Sequence, residues 1–125
     1  EEDRAFEISQ LVLENFCLYI IQWDRLISLS RYEVGLNRDG KGLSEAQLDL
    51  KSSFRDARNA ARERLYCQMA IGRLYWSTKT NEIVYSFKAW DEQQQTKILE
   101  NLPPIEEWKE WESAVVKAIR EDLER

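Results

Sequence analysis

Apolar residues recur along this chain at the three- and four-residue spacing of α-helices rather than at the alternate positions typical of an exposed strand. Breaks between the periodic segments are few, since the chain has only four glycines and two prolines. The pattern therefore predicts one all-α domain over residues 1–125, built as an antiparallel bundle of four or five helices.

The first predicted helix runs from about Arg4 to Tyr32, and its apolar residues occupy more than one face. We therefore expect it to be covered on more than one side. The main predicted face comprises Phe6, Leu13, Cys17, Ile20 and Ile27, and the residues outside it include Leu11, Leu18 and Leu29.

A second helix is predicted to begin at Ser44, after the glycine-bearing connection 34–43, and to run to about Trp76. Ser44 and Gln47 have the Ser-x-x-Gln spacing of a capping box. The small residues Ala57 and Gly72 favour close approach of a neighbouring helix. The first two helices should therefore pair as a long N-terminal antiparallel hairpin.

The third predicted helix runs from about Glu82 to Leu102, although Asp91 offers an alternative cap that would split it into two pieces. Pro103 follows Leu102 and ends this helix. A last helix is predicted to open with Pro104 in its first turn and to reach nearly to Arg125.

The charge and residue types exclude several kinds of function. A net charge of −5 argues against general nucleic-acid binding, and the lack of histidine excludes histidine relays. Cys17 and Cys67 lie within apolar helical patterns without zinc-ligand spacing, which indicates buried thiols in a reducing, cytoplasmic compartment. The apolar run 16–29 contains Gln22, Asp24 and Arg25 and is too short and too charged to span a bilayer. The chain begins with Glu1 rather than Met, as a segment of a longer protein would.

Glu106, Glu107 and Glu110 form an E-E-x-x-E array that resembles the magnesium-binding carboxylates of all-α nucleotide pyrophosphatases. On a helix, however, Glu106 and Glu110 lie opposite the apolar side that carries Trp108, so they should face solvent rather than converge on a metal. We therefore predict no catalytic, cofactor-binding or metal-binding residues. A metal-dependent nucleotide hydrolase that uses these three glutamates stays an alternative.

The second helix carries a ridge of cations at helical spacing, which we expect to bind a partner. From Lys51 to Trp76 there are six basic and two acidic residues, whereas residues 105–125 have four basic and seven acidic ones. The ridge could pair with acidic faces of the same chain, bind an acidic protein, or bind a phosphate backbone; nucleic acid is the least expected of these because no aromatic platform accompanies it. Its members are Lys51, Arg55, Arg58, Arg62 and Arg73.

Two further features concern buried charge and self-association. Asp24 and Arg64 lie on the predicted apolar sides of the first two helices, so we predict that they form a buried ion pair.

Trp108 and Trp111 adjoin on one flank of the last helix and predict a shallow aromatic patch that binds a partner. Excess apolar surface on the first helix predicts a homo-oligomer, with a homodimer the simplest form.

Together these observations predict a small, acidic, cytoplasmic adaptor: a non-enzymatic helical module that binds a protein partner and associates with itself. The expected partner is a protein with an acidic surface. Hydrolase activity through the C-terminal glutamates and phosphate-backbone binding through the ridge are the two alternatives.

Overall fold

The computed structural model describes residues 2–124, which form four α-helices and one short 3-10 turn. The α-helices are α1 (Glu2–Arg38), α2 (Glu45–Gly72), α3 (Thr78–Gln95) and α4 (Ile105–Leu123), and the 3-10 turn spans Leu99–Asn101. The described residues contain no strand, which confirms the all-α prediction. None of these helices combines the length and the apolar character needed to cross a bilayer.

Helix α1 continues one and a half turns beyond its predicted end at Tyr32. Gly35, which was expected in the connection, lies inside the helix, and the chain leaves helical geometry only after Arg38. The turn depends on Gly40, whose φ of 72° is disfavoured for residues with a Cβ. The main-chain amide of Lys41 then bonds to the carbonyl of Leu36 at 2.9 Å and closes the end of the helix.

Helix α2 begins with the predicted capping box. The Ser44 hydroxyl accepts from the Gln47 amide, and the Gln47 side chain accepts from the Ser44 amide. The helix ends at Gly72, before the predicted end at Trp76, because the chain turns there and the Trp76 indole lies directly over Gly72. A side chain at position 72 would occupy the space of that ring.

Helix α3 begins earlier and ends earlier than expected. Ser77 caps it by accepting a hydrogen bond from the Thr80 amide, so residues 78–81, which precede the predicted start at Glu82, form its first turn. The helix stops at Gln95, and the prediction of one helix to Leu102 is therefore wrong. Asp91 is not a cap but an interior residue of α3, and it is fully buried.

Helix α4 starts at Ile105, one residue after the predicted start, with Pro104 as its N-cap. Its last helical residue is Leu123, and the predicted end near Arg125 lies outside the described residues. The helices are held together by packing of α1 against α2, α4 and the 3-10 turn, and of α3 against α4. Helix α1 is therefore the element that most of the bundle surrounds.

The core contains an aromatic cluster to which α1, α3 and α4 contribute, and α2 adds Leu65 and Met69 to the core. The Phe16 and Phe87 ring centroids lie 4.6 Å apart, and the Trp23 and Trp108 centroids lie 4.9 Å apart. Trp90 meets Trp108 edge-on at 4.9 Å. Such pairs favour a defined packing geometry beyond the burial of their area.

The buried side of α1 is rotated away from the face that periodicity indicated. It includes Val12, Tyr19, Trp23 and Leu26. Of the predicted face, Ile20 and Ile27 are buried as expected, whereas Phe6 and Cys17 are exposed. The prediction weighted aliphatic positions and placed too little of the core on aromatic ones. Cys67 is also exposed, so the prediction that both thiols are buried is wrong.

Candidate functional site

The structure brings three of the five predicted ridge cations together in one hollow. Lys51, Arg55 and Arg58 of α2 line it with Glu33 and its neighbours on α1 and with residues of the segment 95–100. The hollow has a volume of about 380 Å³. We call it the basic cleft.

Two of these cations are already engaged within the chain. Lys51 Nζ lies 2.5 Å from Glu33 Oε1, and both side chains are largely shielded from solvent. The Arg58 guanidinium lies over the Trp23 ring, 4.3 Å from its centroid, and its Nη2 donates to the Asn59 side chain at 2.7 Å. Burial lowers the pKa of Arg58, although this group keeps its charge at neutral pH.

Two other cations of the basic cleft are exposed and have no intramolecular partner. Arg55 of α2 and Lys97, which follows α3, make no side-chain hydrogen bond or ion pair within residues 3–124. Lys97 was not among the predicted site residues, because it was expected inside a continuous third helix. Lys97 lines the cleft because α3 ends at Gln95.

The remaining ridge cations lie outside the basic cleft. Arg62 donates to the Gln95 side chain and thereby borders the cleft without lining it. Arg73 caps the far end of α2, on the order of 16 Å along the helix from Arg62, where its guanidinium donates to Tyr85 Oη at 3.3 Å. The five cations of the predicted ridge therefore do not form one continuous surface, because each position has different neighbouring side chains.

Behind the cleft, Asp91 forms a buried polar centre that sequence reasoning missed. Its carboxylate oxygens both lie 2.8 Å from Tyr19 Oη of α1, and Oδ1 accepts from Trp108 Nε1 of α4 at 2.8 Å. Tyr66 Oη of α2 donates to Oδ2. One side chain on α3 thus accepts hydrogen bonds from each of the other three helices.

The electrostatics of this centre follow from burial. Burial raises the pKa of Asp91 above its usual range, and the three hydrogen bonds oppose that shift by stabilising the carboxylate. Burial also raises the pKa of Tyr19 and Tyr66, and the nearby Asp91 charge adds to the effect, so both phenols stay protonated donors. The sequence signal was the spacing of Val84, Phe87 and Asp91, which places an acid in line with the apolar stripe of α3.

The C-terminal glutamates are all exposed. Glu106, Glu107 and Glu110 lie on the solvent side of α4, while Trp108 between them is completely buried. Within the described residues no group of three or more cysteine, aspartate or glutamate side chains is arranged to hold a metal ion.

The predicted tryptophan patch is not present as expected. Trp108 is fully buried and hydrogen-bonded to Asp91, so it cannot contact a partner. Trp111 is half-buried, with its ring 6.0 Å from the rings of Phe87 and Trp90. These residues belong to the core because α4 packs its aromatic side against α3.

The predicted buried ion pair between Asp24 and Arg64 is wrong. Both side chains are exposed, and the ion pairs within residues 3–124 involve other residues. The rotation of the buried side of α1 explains the error, since it leaves Asp24 in solvent while Trp23 meets Arg58 across the α1–α2 contact. Neither charge needs a buried partner in this arrangement.

Comparisons of the chain with protein-family models, with curated proteins and with solved structures found no match.

Proposed function

We propose that this chain is a non-enzymatic helical interaction module whose basic cleft binds an acidic segment of a protein partner. The observation that carries the proposal is the pair Arg55 and Lys97. These two cations come from different elements, line the same hollow and lack an anionic partner within residues 3–124. Carboxylates of a partner would pair with both cations through charge-assisted hydrogen bonds.

The two carboxylates in the lining favour a peptide over a phosphate backbone. Glu33 and Glu100 both line the basic cleft, and closely spaced phosphates would be repelled by them. The described lining residues also include no aromatic side chain on which a base could stack. A peptide can space its acids to avoid Glu100 and reach Arg55 and Lys97.

The cleft depends on pairing of α1 and α2 as an antiparallel hairpin, which we also propose. Near one end of the pair, Trp76 Nε1 donates to Ser9 Oγ at 3.2 Å. Near the other end, Lys51 pairs with Glu33. Residues early in α1 thus contact the end of α2, and residues late in α1 contact its beginning, as an antiparallel arrangement requires.

The proposal assigns no catalytic role to the C-terminal glutamates, and exposure of all three on one helix supports that choice. The unpaired, exposed thiols of Cys17 and Cys67 favour a reducing, cytoplasmic compartment.

Binding can be tested by fluorescence anisotropy with a fluorescein-labelled peptide of net charge −4, in parallel with a single-stranded RNA of equal length. We expect the peptide to bind and Arg55→Gln to weaken binding roughly twofold to fivefold, since an exposed ion pair contributes about 0.5–1 kcal/mol. Arg64→Gln is the matched control, because Arg64 is an exposed α2 cation outside the cleft. Equal losses in both variants, or stronger binding of the RNA, would refute the proposal.

A second proposed role is self-association through the exposed side of α1. Large apolar residues there keep a substantial part of their surface in solvent, with Leu11 38%, Leu18 45% and Ile21 39% exposed. A second copy could cover this side of the helix. Light scattering should then give the mass of a dimer for the wild type and the mass of a monomer for Leu18→Glu. A wild-type protein that is monomeric at about 100 μM, a concentration on the order of the dissociation constants of weak dimers, would exclude this role.

A further inference from the structure

The basic cleft is continued by a second hollow at the end of α1. This distal hollow has a volume of about 360 Å³ and is lined by Arg31, Arg38, Gly35, Val34 and Glu100. Val34 and Glu100 line both hollows, so the two lie side by side. Together they form one groove that is lined by more cations than carboxylates. Its carboxylates are Glu33 and Glu100, and its cations are Arg31, Arg38, Lys51, Arg55, Arg58 and Lys97.

The centre of this groove, where Val34 and Glu100 line both hollows, combines apolar surface with one carboxylate. Ile98 is 62% exposed, although it is an aliphatic residue, and it lines the basic cleft together with half-buried Val34 and Leu99. In the bundle itself Ile98 has no packing role that explains its position, since it precedes the 3-10 turn and faces solvent. An apolar group bound over it would remove this surface from water.

Cations on both sides of an apolar centre distinguish the kind of ligand that fits. A small anion would use one end of the groove and leave the apolar centre wet. An extended peptide strand places successive side chains about 3.3 Å apart along its axis and can reach the centre and both ends at once. The groove is therefore complementary to a segment with acids at both ends and an apolar residue between them.

We infer that the partner segment bound by this module is an extended peptide in which acidic residues flank one large aliphatic side chain. In this arrangement the acids on one side meet Arg55 and Lys97, the aliphatic side chain covers Ile98 and Val34, and the acids on the other side meet Arg31 and Arg38. This inference rests on the proposed function, because it specifies the ligand of the same cleft.

The test uses three fluorescein-labelled peptides of equal length and net charge. The first has two glutamates on each side of a central leucine, the second has serine in place of the leucine, and the third has the leucine moved to one end. Fluorescence anisotropy with the full chain is expected to show binding of the first peptide at least about fivefold tighter than the other two, since burying a leucine side chain contributes strongly to affinity.

Variants then locate the contact. Ile98→Ser should remove the advantage of the leucine peptide and leave affinity for the serine peptide unchanged, whereas Arg31→Gln should weaken both. Leu74→Ser is the matched control for Ile98, because Leu74 is 74% exposed and lies outside both hollows. Circular dichroism of each variant verifies that the helices are intact.

The outcomes separate this inference from the proposed function. If all three peptides bind equally and Arg55→Gln weakens each of them, the basic cleft binds acidic segments but the apolar centre and the extended register are refuted. If none of the peptides binds, both the inference and the proposed function are refuted. If Leu74→Ser abolishes the leucine preference as fully as Ile98→Ser does, the contact lies elsewhere and the inference is overturned.

Discussion

Replacement of Asp91 tests whether one buried carboxylate holds the four helices in register. In Asp91→Ala, the donors of Tyr19 and Trp108 lose their acceptor while both side chains stay fully buried. Each unsatisfied buried donor costs about 1–3 kcal/mol, and removal of a buried charge offsets part of the sum, so we expect a loss of about 2–4 kcal/mol. That is a large share of the roughly 5–15 kcal/mol by which a domain is stable.

The conservative variant Asp91→Asn separates hydrogen bonding from packing. The asparagine oxygen can still accept from Tyr19 and Trp108, while its amide faces the hydroxyl of Tyr66, which can rotate to accept. We expect a loss of at most about 1 kcal/mol, because the burial that raises the pKa of Asp91 also favours a neutral side chain at this position. Tyr66→Phe removes a donor that is only half-buried and should cost about 0.5–1.5 kcal/mol.

Urea unfolding followed by tryptophan fluorescence measures these differences. With a urea slope of about 1–3 kcal/mol per molar, Asp91→Ala should lower the midpoint by about 1–3 M. A midpoint within about 0.3 M of the wild type, where the same slope corresponds to less than about 1 kcal/mol, would refute the reasoning. Asp91→Asn as destabilising as Asp91→Ala would show that charge, rather than hydrogen-bond satisfaction, dominates.

The difference in unfolding free energy between the wild type and Asp91→Asn should change with pH in a defined direction. The pKa of Asp91 is raised in the folded state by burial, so the folded protein binds this proton more tightly than the unfolded chain does. The carboxyl therefore contributes most to stability below its unfolded pKa of about 3.9, and this contribution is lost as the pH rises through the folded pKa. The free energy of unfolding of wild type relative to Asp91→Asn should accordingly fall as the pH is raised from about 4. A difference that grows with pH would contradict the shift.

Three further predictions concern single positions. Gly72→Ala should destabilise the protein by about 1–3 kcal/mol because a Cβ would overlap the Trp76 ring, whereas Gly35→Ala, with open space around it inside α1, should stabilise by about 0.5–1 kcal/mol. The same urea assay compares the two. Glu112→Gln should raise the unfolding midpoint at pH 7, because partial burial raises the pKa of Glu112 and disfavours its charge, and this gain should vanish below about pH 4. Magnesium titration should give no saturable change in tryptophan fluorescence, and a saturable change abolished by Glu110→Ala would revive the hydrolase alternative.

The sequence predicted those features that local chemistry determines. The capping box at Ser44 and the start of α4 depend on residues next to them in the chain, so the box was recognised correctly and the start to within one residue. The outward direction of Glu106 and Glu110 followed from helical geometry and the burial of Trp108. These features need no knowledge of the neighbouring helices.

Features that depend on contacts between helices could not be predicted in the same way. Periodicity alone placed the apolar face of α1 at the wrong rotation about the helix axis. The predicted Asp24–Arg64 ion pair depended on that face, so it was wrong as well. The position of Lys97 depends on where α3 ends, and no strong breaker occurs between Gln95 and Leu102. Asp91 was interpreted as a possible helix cap because a buried aspartate is uncommon. Its three hydrogen-bond donors come from helices distant in sequence, so local sequence could not reveal them.

The buried centre and the basic cleft are joined through Gln95. Its side-chain amide donates to the Asp91 carbonyl at 3.0 Å and to Tyr19 Oη at 3.3 Å, its oxygen accepts from Arg62, and the residue also lines the cleft. The Asp91 carboxylate reaches Gln95 through Tyr19, whose hydroxyl donates to the carboxylate and accepts from the Gln95 amide, and so it helps to fix the last turn of α3, from which Lys97 and the rest of the cleft wall extend. Release of Asp91 should loosen that wall together with the core, whereas removal of an exposed cleft cation leaves the core hydrogen bonds in place. Cleft variants should thus lose binding without losing stability, but variants of the buried centre should lose both.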